Sequence, residues 1–166
     1  AMTPAERAEA KAAARRRSRR ARLAQAGRAG AESVCDVLLL TRERNDADLS
    51  ARLEAFGFRV HPATYSADAL SLIAALPLAA IFLDVAPGSD EDMDGLELCM
   101  EIKQRRAVLA GTVPPVFLLA NRDSAAGRVR AELAGCDALL IRPVTRGDVA
   151  RALEASDVVL PADERR

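Results

Sequence analysis

Four short apolar runs with no internal alternation constrain this chain more than any other feature: DVLLL (36–40), AIFL (80–83), VFLL (116–119) and ALLI (138–141). A strand that is apolar at every position is covered on both faces, which marks a parallel sheet. A weaker strand is predicted over Phe58 to Tyr65. Between the runs lie helical patterns. Residues 46–56 carry Leu49, Leu53 and Phe56 at helical spacing and close on Gly57. Ser66 is the expected cap of a helix through Ala75, and further helices are predicted after Gly95, over 124–134 and over 145–155. Five strands alternating with five helices imply an α/β fold with right-handed crossovers, and for this length the favoured strand order is 2-1-3-4-5.

The third strand carries the chemistry. It lies in AAIFLDVAPGSDEDMDG (79–95) and ends on a single carboxylate, Asp84. An Asp at the carboxyl end of such a strand faces the crevice where open α/β sheets bind ligands. A dense acidic loop follows, with Asp90, Glu91, Asp92 and Asp94. Its spacing lacks the glycine and terminal bidentate Glu of a calcium loop, so a solvated acidic loop or partner surface is expected.

Charge divides the chain. Residues 1–30 hold nine Lys/Arg against two Glu, whereas the rest holds 15 basic and 22 acidic residues. A basic arm on an acidic body describes it better than the formal net charge of zero. We divide it into a basic Ala/Arg-rich extension (1–33), helical or disordered, a globular domain (34–156) and a polar tail (157–166). Thr3-Pro4-Ala5-Glu6 fits a capping box at the start of the arm. Arg15, Arg16, Arg17, Arg19, Arg20 and Arg22 are candidates for anion binding, since phosphate attraction needs only clustered arginines. Cys35, Cys99 and Cys136 stand singly in apolar runs, which suits buried free thiols in a reducing compartment. No run approaches membrane-spanning length, so a cytoplasmic location is expected. His61 has no metal-spaced partner in the sequence and is not expected to be catalytic. With four Phe, one Tyr and no Trp, an aromatic cage or base-stacking site is not expected.

In order and spacing, Leu83-Asp84, the later Met93-Asp94-Gly95, the GCDALL segment (135–140) and Arg142-Pro143 resemble the receiver domain of two-component response regulators. The resemblance covers about residues 34–156 and implies a flavodoxin-like doubly wound sheet of five parallel strands. It also implies a cis bond before Pro143 and phosphoryl transfer from a histidine kinase to the strand-three carboxylate, here Asp84. That chemistry needs a clamped Mg²⁺ and groups to hold the transferring oxygens. The family supplies an acidic pair after strand one, a Thr or Ser after strand four, a Lys before the proline and an aromatic on strand five. This chain has Thr41-Arg42 followed by Glu43, then Ala120 with Asn121, Arg142, and Leu139 or Leu140 in those places.

The expectation is a degenerate, stand-alone receiver of pseudo-receiver type, not an enzyme. It would serve phosphorelay signalling as a phosphorylation-independent protein-interaction module. Asp84 would pair with Arg142 or Arg42. No cofactor is expected; Mg²⁺ enters only if Asp84 is phosphorylated, with Glu43 and Asp84 as candidate ligands. A small apolar helix face (Val129, Leu133, Ala125, Ala126) suits a protein partner or a homodimer. Two alternatives stand beside this: a genuine phosphoacceptor at Asp84, and an adaptor for nucleic acid, a cyclic dinucleotide or another polyanion through the Arg-rich arm.

Overall fold

The computed structural model describes residues 3–14, 35–41, 47–86, 92–104, 109 and 113–161. The apolar runs form the strands β1 (Asp36–Leu40), β3 (Ala80–Asp84), β4 (Val116–Ala120) and β5 (Ala138–Ile141). The weaker run forms β2 (Arg59–Ala63), shorter at both ends than the sequence suggests. All pairings are parallel, in the order β2-β1-β3-β4-β5. At the β2 edge, Pro62 is opposite Leu39. An edge position tolerates a residue that cannot donate to a ladder.

The helices are α1 (4–14), α2 (Ala47–Ala55), α3 (Ser66–Ala75), α4 (Gly95–Lys103), α5 (Ala125–Ala134) and α6 (Arg146–Ala155). They cover both faces of the sheet, which is why the strands show no alternation. On one face Val37, Leu39, Phe82, Phe117, Leu119 and Leu140 pack against Leu49, Leu53 and Phe56 from the α2 segment and Val149 and Leu153 of α6. On the other, Leu38, Leu40, Ile81, Leu83 and Leu118 meet Ala69 and Ile73 of α3, Leu98 and Ile102 of α4, and Ala131 and Ala134 of α5. Fully burying a side chain of this size contributes about 1.5–3 kcal/mol, so this two-sided core dominates the stability.

Caps set the helix ends. Thr3 and Glu6 exchange bonds across the first turn of α1, as the capping box requires. Ser124 Oγ accepts from the Gly127 amide at 2.9 Å, and α5 ends on Gly135 at φ 87, a left-handed cap that favours glycine. Thr145 and Asp148 form a second capping box on α6. The expectation for Ser66 is corrected. The helix starts at Ser66 itself, and Tyr65 in the cap position offers no side-chain bond. The acceptor comes from a remote loop, described below.

The cysteine expectation is corrected in part. All three thiols are free, but only Cys99 is buried; Cys35 and Cys136 are half-buried, because they stand just outside strand starts. Burial pushes the Cys99 thiol up to about 12 and raises Cys136 as well. No helix among the described residues is long and apolar enough to cross a membrane. The arm arginines Arg15, Arg16, Arg17, Arg19, Arg20 and Arg22 lie outside the described residues.

Candidate functional site

Parallel strands end in register, so the carboxyl ends of β3, β4 and β5 deliver Asp84, Ala120 and, just past β5, Arg142 to one edge of the sheet. Asp84 is the last residue of β3 and only 2% exposed. A buried carboxylate needs compensation, and this one has it on both oxygens. Oδ1 accepts from the Ala86 amide at 3.0 Å. Oδ2 accepts from Arg142 Nη2 at 3.1 Å, and the two side chains are 3% and 13% exposed. Of the two arginines the sequence offers, Arg142 is therefore a partner of Asp84; Arg42 and Glu43 lie outside the described residues.

Arg142 is itself fixed from two further directions. Its Nη1 donates to Asn121 Oδ1 at 3.1 Å, and its backbone amide donates to the Ala120 carbonyl at 2.8 Å. The Arg142–Pro143 peptide is cis, as expected. One guanidinium thus joins the residue after β4 to the last residue of β3 from its own position after β5. Asn121 carries half of this arrangement; in the sequence it was visible only as the neighbour of Ala120.

The remaining positions add little to a phosphoryl site. Thr41 follows β1 and is tied by its amide to the Ala63 carbonyl at 3.2 Å. Ala120, where the family carries a hydroxyl, has no side-chain donor. On β5, Leu140 is buried among the α6-side residues and Leu139 packs on the α5 side.

Two acidic-loop residues have structural work. Asp92 accepts from the Ser66 amide at 3.2 Å and from Ser66 Oγ, supplying the cap that α3 lacks locally. Asp94 caps α4, accepting from the Glu97 amide at 2.8 Å. Asp90 and Glu91 lie outside the described residues. His61, which has no metal-spaced partner in the sequence, has a carboxylate beside it in the fold. Its Nε2 is 2.8 Å from Asp36 Oδ1, with Arg59 also on that carboxylate at 3.1 Å, because the β1–β2 register sets Asp36 beside Arg59. This cluster starts from the opposite end of β1, away from Asp84.

Mg²⁺ demands a near-octahedral oxygen shell at about 2.0–2.1 Å, usually anchored by one or two carboxylates. Among the described residues no group of three or more His, Cys, Asp or Glu could hold a metal ion. Each Asp84 oxygen already accepts a hydrogen bond, one of them from a cation, and Asp92 and Asp94 are turned to helix starts. The described donors do not fit Mg²⁺.

No protein-family model matches this chain, and no curated protein does. Solved structures do. The chain is similar to chemotaxis protein CheY4 of Vibrio cholerae (18% identity, TM-score 0.63, covering 76% of this chain and 100% of that one). It is similar to a two-component response regulator from Clostridium difficile (21%, 0.63, 75% and 95%). A third is the receiver domain of a sensor histidine kinase from Pseudomonas aeruginosa, whose structure has magnesium coordinated in its active-site cleft (21%, 0.61, 75% and 99%).

Proposed function

Since the chain has the fold of response-regulator receivers, we propose that it serves two-component signalling as a receiver whose site is held by its own side chains. It would bind a protein partner without phosphorylation at Asp84. The observation that carries this reading is the Asp84–Arg142–Asn121 bridge. A carboxylate nucleophile must present an oxygen lone pair to the phosphoryl donor. Asp84 is buried, with one oxygen on a guanidinium and the other on a backbone amide. Ala120 brings no hydroxyl to hold a transferred phosphoryl group.

A binding role is supported on α5. Val129 and Leu133 are 55% and 78% exposed, the two most exposed large aliphatic side chains among the described residues. Arg130 is exposed beside them. Glu132 is exposed on the other flank, so the rim is mixed in charge, and a protein surface with an apolar centre complements that face.

Incubation of the full chain with acetyl phosphate and Mg²⁺, read by intact mass, tests the proposal. Unchanged mass is expected. A gain of one phosphoryl group that is lost in Asp84→Ala would establish the phosphoacceptor reading instead.

A further inference from the structure

The fold implies a divalent cation beside the strand-end carboxylate, and the described donors do not fit one. We propose that Arg142 is the resident cation of this site. Its guanidinium takes over the neutralising duty of a metal ion and makes the site indifferent to Mg²⁺. The inference deepens the phosphorylation-independent reading and rests on it.

Three observations converge. The first is burial: Asp84 is 2% exposed, so its charge needs a permanent counter-charge, and the guanidinium is 3.1 Å away. The second is geometry. A planar fork can address two acceptors at once, which a compact ammonium does less well. Arg142 uses Nη2 for Asp84 and Nη1 for Asn121, while its amide is held by Ala120. The third is the fate of the described carboxylates of the acidic loop. Asp92 and Asp94 are committed to the starts of α3 and α4, and among the described residues no metal-binding group forms. A metal ion can leave the protein, whereas a side chain stays tethered to it, and this one favours a single arrangement of the ends of β3, β4 and β5.

The test titrates the full chain and Asp84→Asn with Mn²⁺ alone, read by the electron paramagnetic resonance signal of free Mn²⁺. Equal uptake by the two proteins is expected. A site in the wild-type chain that Asp84→Asn removes would overturn the inference. If the mass of the wild-type chain still did not change with acetyl phosphate, the phosphorylation-independent reading would survive that failure; a gain in mass would sink the reading itself. A double-mutant cycle supplies the second arm, with Arg142→Met and Asp84→Asn followed by urea unfolding. Coupling of roughly tenfold in the unfolding constant is expected for side chains in direct contact. Additive effects would overturn the pairing. Because the Mn²⁺ arm needs only the wild-type chain and Asp84→Asn, it decides the matter even where Arg142→Met does not fold.

Discussion

At Gly95 an added Cβ would lie 2.1 Å from the carbonyl oxygen of Asp84 and 2.8 Å from its carbonyl carbon, both backbone atoms that cannot swing aside. The start of α4 therefore presses directly on the end of β3. Gly95→Ala is expected to cost about 1–3 kcal/mol, the usual range for overpacking, seen as a lower urea midpoint. An unchanged midpoint would show that the approach is looser. Individual residues differ in how much the sequence discloses about them. Asp84 is legible because an unalternating run ends on it. Its partner is not, since Arg142 is 58 positions away and Arg42 is an equally reasonable choice on sequence. Asn121 could be found only through the side chain that reaches it.

Elements are read more securely, because burial on two faces leaves a pattern that ion pairs do not. Each of the five strands is anticipated, and the parallel order follows from their apolar character and chain length. Ends are harder to place. β2 stops at Ala63 rather than Tyr65, and Ser66 proves to be the first helical residue instead of the cap. A cap delivered from a loop 26 residues away leaves no local signal. Asp92→Ala should free the first turn of α3. Its amides should exchange faster with solvent, at a cost of about 1 kcal/mol, comparable to losing a local cap. Unaltered exchange at Ser66 would mean that the contact carries no energy. The same contact commits Asp92 to the start of α3.

Across the whole molecule, a receiver fold persists at 18–21% identity to receivers of known structure. Two-layer coverage of a parallel sheet needs only apolar side chains of suitable size, and many sequences meet that demand. The site tolerates no such freedom. With Ala120 at the end of β4 and Arg142 just past β5, the sheet is intact and its carboxyl end is bonded internally, Arg142 to Asp84 and to Asn121. On the proposal above, this edge holds a single state set by Asp84, Arg142 and Asn121. Two-dimensional amide NMR of the full chain, before and after addition of Mg²⁺ and acetyl phosphate, tests it most directly. The signals of Asp84, Val85, Ala86, Ala120, Asn121 and Arg142 are expected to stay in place. Shifts concentrated at those residues, and abolished in Asp84→Asn, would contradict the claim and return the site to phosphoryl chemistry.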